Sequence, residues 1–254
     1  MHRLILILFI TTMIFTFFTA PLAVYYGRRA DNIRIFAAVK YATGVLTDSI
    51  YCNPDNYGIL AGGLLIDRGN AAVIDREALL DKYAAVLAGN LEPEGELYER
   101  VCGDAFKVLI EGDRFYVAGS SEKWSIPWFF STVVEGRLAH LFSGSRLAHI
   151  FDDLGNPVET DINALGLTTS SRDKIISEKI SRVLRLQEGS SEISLDIMTK
   201  GEIGYLVVYP EIQVSAEIGR IWGQELFAAE NLQIPKYRMC GIFLSMPESG
   251  LPVR

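Results

Sequence analysis

One run of residues constrains this chain before anything else. Leu4 to Tyr26 (LILILFITTMIFTFFTAPLAVYY) is 23 residues long, carries no charge, and has its polar side chains limited to four threonines and the two closing tyrosines. A helix needs about 20 such residues to cross a hydrocarbon core of about 30 Å, so the run predicts a membrane-inserting helix. The rival is a cleaved secretory signal, which needs small residues at positions −3 and −1 of the cut. Cleavage after Ala20 puts Phe18 at −3 and Pro21 just past the bond, and cleavage after Ala23 puts Pro21 at −3. A retained anchor over residues 1–27 is therefore the expectation.

From Ala30 to Ile50 the pattern changes. Ile35, Ala38, Val39, Ala42, Val45, Leu46 and Ile50 recur at the i, i+3, i+4, i+7 spacing of one helical face. Only Gly27 separates this stretch from the anchor. One glycine costs a helix about 1 kcal/mol without stopping it, so the two segments read as one rod. The expected division is an anchor over 1–27, an amphipathic helix over 28–50 and a body over 51–254.

The body has the composition of a folded domain. Of the 254 residues 49% are hydrophobic and 22% charged, enough apolar surface to offset the ordering entropy that defeats a disordered chain. Lys and Arg total 24 against 31 Asp and Glu, net −7, and no basic block exceeds the pair Arg28–Arg29. Nucleic acid is not an expected partner, because no surplus of cations is available to neutralise phosphates.

Along the body, a CNPD turn over 52–55 and a glycine-rich stretch with Gly58, Gly62 and Gly63 precede a helix from Asp75 to Leu91, started by Asp75 and stopped at Gly89-Asn90. Glu92 to Glu99 reads as a solvated acidic loop, and Ala105 to Gly119 as a hairpin around Glu111-Gly112-Asp113. Trp124 to Val134 is β-rich, with Pro127 confining it to an edge or a strand start. The near-duplicate RLAHLF (137–142) and RLAHIF (146–151) predicts a second hairpin across Ser143-Gly144-Ser145, closed by a turn over 153–157. Ser170 to Gln187 predicts a helix capped by Ser170 or Ser171, strengthened by Asp173 and stopped at Gly189. Tyr205 to Ile218 predicts a strand with one wet face, and Tyr237 to Met246 a last strand. Helices kept apart from antiparallel strands make the fold class α+β.

Signatures of chemistry are scarce. Cys52, Cys102 and Cys240 have no metal-binding spacing; an extracytoplasmic body would allow one disulfide among them. His140 and His149, near Asp152 and Asp153, sit at equivalent places of the near-duplicate, so repetition accounts for them without a metal. Ser120/Lys123 and Ser171/Lys174 have the spacing of serine–lysine nucleophile pairs, at the frequency chance supplies. No esterase elbow, dinucleotide fingerprint or phosphate loop occurs, so no catalytic residue, cofactor, metal or small-molecule ligand is assigned.

The order of an N-terminal span, a continuous amphipathic helix (VKYATGVLTDSI, 39–50), a further helix (IDREALLDKYAAVLAGNL, 74–91) and a hairpin (106–117) resembles pilin-like and TadE-like single-pass proteins of bacterial pilus and conjugation systems. Arg3 directly precedes the apolar run and no glutamate lies within it, which makes an unprocessed, TadE-like anchor the nearer comparison. The resemblance implies a non-catalytic structural or assembly component at the cell surface, with the lipid bilayer and other apparatus subunits, or copies of itself, as partners. Ile35, Val39, Ala42 and Leu46 would then carry assembly. It also implies an extracytoplasmic body, whereas Arg28, Arg29, Arg34 and Lys40 after the span favour a cytoplasmic one. The alternatives are a membrane-tethered binding or sensory module, with its ligand surface around Trp124, Trp128, Phe129 and Phe130, and a membrane-anchored hydrolase using Ser120/Lys123 or the two histidines.

Overall fold

The computed structural model describes residues 2–50, 65–68, 71–119, 123–152, 154–189, 193–212 and 237–244, with the side chains of residues 2, 18, 47–50, 65–68 and 71–74 outside that description. The fold is α+β, as the sequence predicts. The chain divides into two compact units, Met1–Ala37 with Glu211–Lys236, and Ala38–Pro210 with Tyr237–Arg254.

Helix α1 runs without interruption from His2 to Ile50, a single rod of 49 residues with Pro21 inside it. Proline in a helix interior costs about 3 kcal/mol in water, and such breaks are better tolerated in membrane spans. The hydroxyls of Thr11, Thr12, Thr16 and Thr19 each donate to the carbonyl four residues back at 2.8 Å, which hides the polarity of the run from its surroundings. Between Arg3 and Leu46, α1 is long and apolar enough to cross a membrane: its most apolar window has mean hydropathy 2.2 and is only 6% buried by the chain itself. Within the first unit, Asn32 pairs with the backbone of Ile212, its Nδ2 donating to the carbonyl and its Oδ1 accepting from the amide, both at 3.0 Å.

The second unit is organised by a five-stranded antiparallel sheet. Its order is β11 (Tyr237–Leu244), β10 (Ile203–Pro210), β3 (Phe106–Glu111), β4 (Arg114–Ala118), β5 (Trp128–Phe129). The predicted hairpin is β3–β4, paired from Lys107↔Ala118 to Glu111↔Arg114. β10 is buried along nearly its whole length, so the wet face expected of the Tyr205 segment is absent from it; the alternating residues beyond 212 lie outside the described ones. Such a strand needs cover on both faces. On one, Val108, Ile110, Phe115, Leu206 and Val208 join Ile176, Ile180 and Leu184 of helix α4 (Thr169–Glu188) in the main core. Helix α2 (Arg76–Ala88) buries Leu79, Tyr83 and Leu87, and the Tyr83 ring meets that of Tyr205 on β10 at 5.8 Å. Each such side chain, fully removed from water, contributes about 1.5–3 kcal/mol.

Asp75 caps α2 as expected, accepting from the Ala78 amide at 3.0 Å. The acidic segment is a correction: only Glu92–Gly95 remains a turn, and Glu96–Cys102 forms helix α3. Glutamates in a first turn favour the positive end of the helix dipole, and Val101 and Cys102 are buried to hold α3 in place. The Tyr83 hydroxyl donates to the Val101 carbonyl at 3.0 Å, tying α2 to α3. Residues 52–64, including the expected turn and glycine-rich stretch, lie outside the described residues; β1 (Leu65–Arg68) and β2 (Ala71–Ile74) form a short hairpin.

A second sheet runs β6 (Ser131–Val134), β7 (Arg137–Leu141), β8 (Leu147–Phe151), β9 (Pro157–Asp161). The near-duplicate forms its central hairpin, with His140 opposite His149. The turn between them has a tertiary reason for its glycine. Gly144 has φ +67°, and a Cβ there would lie 2.3 Å from the backbone of Gly201; a Cβ on Gly201 would in turn meet Leu244 backbone at 2.3 Å. The next turn is held by Asp152, whose carboxylate accepts from the backbone and side-chain amides of Asn156 and from the Leu154 amide, and these bonds hold its pKa below the usual carboxylate value.

Helix α4 is where it was expected, but its cap is Thr168, which accepts from the Ser171 amide at 3.1 Å. Gly189, left-handed at φ 69°, ends it. Asp173 serves a different purpose from the one expected: with Thr199 it engages the buried guanidinium of Arg172, at 2.7 and 2.8 Å from Nη2, while Nη1 donates to the Ser145 carbonyl. This network ties α4 to the β7–β8 turn and to the segment before β10. Removing the buried guanidinium leaves its partly buried partners without their donor, so Arg172→Ala should cost about 1–3 kcal/mol, against less than about 0.5 kcal/mol for the exposed Arg182→Ala. Denaturant titration of the full chain in neutral detergent reads both values.

Candidate functional site

The stripe predicted to carry assembly is used by the chain itself. Ile35, Val39, Ala42 and Leu46 have no solvent exposure. Within the second unit, Thr43 Oγ1 lies 3.8 Å from Cys240 Sγ, which puts this end of α1 against β11. Cys240 and the buried Cys102 are both free thiols, so no disulfide joins them, and burial raises the Cys240 pKa; Cys52 lies outside the described residues.

The aromatic segment 124–130 divides into three roles. Trp124 is a fastener: its Nε1 donates to the Arg76 carbonyl at 2.8 Å. Arg76 itself makes a two-pronged contact with Glu111, at 3.2 and 2.9 Å, and lies 3.7 Å over the ring of Tyr116, so Trp124 helps lock α2 onto the β3–β4 hairpin. Phe130 is core, fully buried and stacked on Phe115 with centroids 5.1 Å apart. Trp128 and Phe129 are different, each 39% exposed.

These two exposed rings line a cleft of about 420 Å³ beside α4, with Leu138, His140, Lys179 and Arg182 among the other lining residues. Open clefts of roughly 300–1,000 Å³ lined mainly by apolar and aromatic groups, with a few polar ones, are the usual form of a ligand site. Lys179 and Arg182 are three residues apart on α4 and so project from one face. Of the four aromatic residues expected around a ligand surface, Trp128 and Phe129 line this cleft and Trp124 and Phe130 do not; Lys179 and Arg182 carry no signal in the sequence beyond two charges of an amphipathic helix.

His140 forms the polar wall. Its ring stacks on Phe129 at 5.0 Å and meets the edge of Phe151 at 4.8 Å, with Nδ1 3.7 Å from Asp113 Oδ2. Burial lowers its pKa below 6.5, outweighing the attraction of Asp113, whose other oxygen accepts from Arg114 Nε at 3.1 Å. Near neutral pH the imidazole is thus uncharged and its approach to Asp113 is not an ion pair. His149 packs on Phe142, at 4.7 Å. Among the described residues no group of three or more His, Cys, Asp or Glu is arranged to hold a metal. Ser120 lies outside the described residues, and Ser171 bonds Thr168 Oγ1 at 2.9 Å within the α4 cap.

The lowered His140 pKa fixes a pH dependence. Between the folded and unfolded values the unfolded chain binds more protons, so stability is complete above about pH 6.5 and falls as pH drops through the folded pKa. Denaturation midpoints taken from pH 7.5 down to 5 should decline, and His140→Gln should flatten the decline; an equal slope in the variant would show that other groups carry it. No protein-family model matches the chain, and neither the curated proteins nor the solved structures contain a match to it.

Proposed function

We propose that this protein is a membrane-anchored, non-catalytic binding module, tethered by the N-terminal part of α1 and working through the cleft between α4 and the Trp128–Phe129 edge. The cleft carries the reading: two large aromatic side chains stay substantially exposed there beside cations, while the aromatic neighbours on either side are fastened or buried. Leaving apolar rings in water is unfavourable by about 25 cal/mol per Å², which a ligand or partner would recover.

A second reading is the structural or assembly component of a bacterial surface, secretion or conjugation apparatus. The observation favouring it is the exposed apolar surface of α1 from Leu4 to Tyr26, which can pack against neighbouring helices in lipid. On that reading association runs through the anchor, because Ile35, Val39, Ala42 and Leu46 are already buried within their own chain.

The anchor is tested first. The protein should stay with membranes through alkaline carbonate extraction, and Phe15→Arg, which puts a charge near mid-span at a cost of about 3 kcal/mol, should release a large fraction. A parent chain that washes off would end both readings. The side of the membrane follows from Leu154→Cys, an 87% exposed position on the β8–β9 turn. An impermeant maleimide should label it in intact cells above the parent background, placing the body outside; labelling only after lysis would place it inside and remove the surface-apparatus reading. Cross-linking in native membranes separates the two readings. A monomer supports the binding module, and a ladder of copies abolished by polar substitutions at Leu8 and Ile14 supports assembly.

A further inference from the structure

We propose that the cleft binds a small amphiphilic monoanion, an aromatic or short acyl body carrying one carboxylate or similar oxyanion. The inference rests on the binding-module reading and adds the ligand's chemistry.

Charge comes first. The chain as a whole is acidic, net −7, yet no carboxylate lines this cleft, while Lys179 and Arg182 both do. Neighbouring cations are already engaged: Arg185 Nη2 meets Glu178 at 2.7 Å and Arg114 Nε meets Asp113 at 3.1 Å. Lys179 and Arg182 have no acid partner among the described residues. An anion seated between them gains charge-assisted hydrogen bonds without breaking an existing pair, and the planar Arg182 fork suits a carboxylate.

The apolar floor sets the rest of the ligand. Trp128, Phe129, Leu138 and Leu186 are the large exposed apolar side chains of the lining, with Pro127 beside them. They offer ring faces and aliphatic surface and few hydrogen-bond donors, which suits an arene or acyl chain and not a sugar. Two cations match one anionic head and fall short of a nucleoside polyphosphate. The volume, about 420 Å³, lies toward the small end of ligand clefts, the size of a fused ring system or short chain. The uncharged His140 neither repels an apolar body nor adds a third cation.

The test uses the full chain in phosphatidylcholine nanodiscs, with empty nanodiscs subtracted, and 2-naphthoate as the probe. Calorimetric titration should show saturable binding of one probe per chain. The uncharged analogue 2-naphthamide, and the double variant Lys179→Gln/Arg182→Gln probed with naphthoate, should each bind at least about tenfold more weakly. Trp128→Ala should weaken naphthoate and naphthamide alike, because it removes floor and not charge. Unchanged thermal melting of the double variant, at one half-buried and one exposed position, confirms an intact fold. Naphthoate binding unaffected by the double variant, or absent altogether, overturns the proposal. A photo-cross-linker at Phe129, used in cells, separates this failure from that of the underlying reading. A covalent protein partner at Phe129 with no naphthoate binding would keep the binding module and replace the small anion with a polypeptide. No adduct and no probe binding would end both.

Discussion

The pairing of β10 between β3 and β11 is the constraint on which the rest of the second unit depends. All eight residues from Ile203 to Pro210 pair with β11, the first six, Ile203 to Val208, pair with β3 as well, and all but the last are buried. A strand in that position needs apolar cover on two faces, and the chain supplies it from two helices about 80 residues apart, α2 (Arg76–Ala88) and α4 (Thr169–Glu188). Leu206 and Val208 share a core with α4, whereas Tyr205, on the opposite face because side chains alternate along a strand, meets Tyr83 of α2. The Gly204 and Gly241 positions show how close the fit is, since a Cβ at either would lie within 2.6 Å of a side chain of the neighbouring strand. The small residues let Phe243 and Leu206 lie across the ladder.

Helix α1 answers to two environments along one backbone. Its first half is apolar around its whole circumference and leaves that surface to something other than the chain; its second half has one apolar face, and that face is consumed internally. The polar groups follow the same division. Threonines in the first half return their hydroxyls to the helix's own carbonyls, as a group without water must. Asn32, in the second half, instead spends its amide on both backbone groups of Ile212, a pairing that makes helix and following chain mutually specific.

Much of this was legible in the sequence wherever a periodicity or cap acts locally. The apolar run, the stripe from Ile35 to Leu46, the Asp75 cap, the β3–β4 hairpin and the duplicated hairpin all follow from neighbours within a few residues. What was missed is non-local. Helix α3 has too few apolar positions to show a period, and is held by the burial of Val101 and Cys102 and by the Tyr83 bond from another helix. Thr168 displaces Ser170 and Ser171 as the α4 cap because capping depends on which residue turns out of the helix, and all three have suitable hydroxyls. Arg172 is a charged residue of an amphipathic helix, with no local sequence feature that marks it for burial. Its burial is enforced by Ser145 and Thr199, each 27 residues away, and no spacing in the sequence announces that.

The cleft is itself a product of a non-local event, the passage of the chain from one sheet to the other at Phe130. Its amide donates to the Asp113 carbonyl at 2.9 Å, and its own carbonyl accepts from the Leu141 amide at 3.0 Å, so one residue is bonded to both sheets while its ring is stacked in the core. The strands on either side pay for this passage in length. β5 keeps only Trp128 and Phe129, paired on one edge to β4, and β6 begins at once in the other sheet. With so short a strand at the border, α4 has sheet to cover as far as Phe115 but not beyond it, and the rings of Trp128 and Phe129 stay half in water facing Lys179 and Arg182. A longer β5 would extend the sheet beneath α4 and close the gap. The aromatic and cationic cleft therefore follows from the way two sheets share one buried phenylalanine.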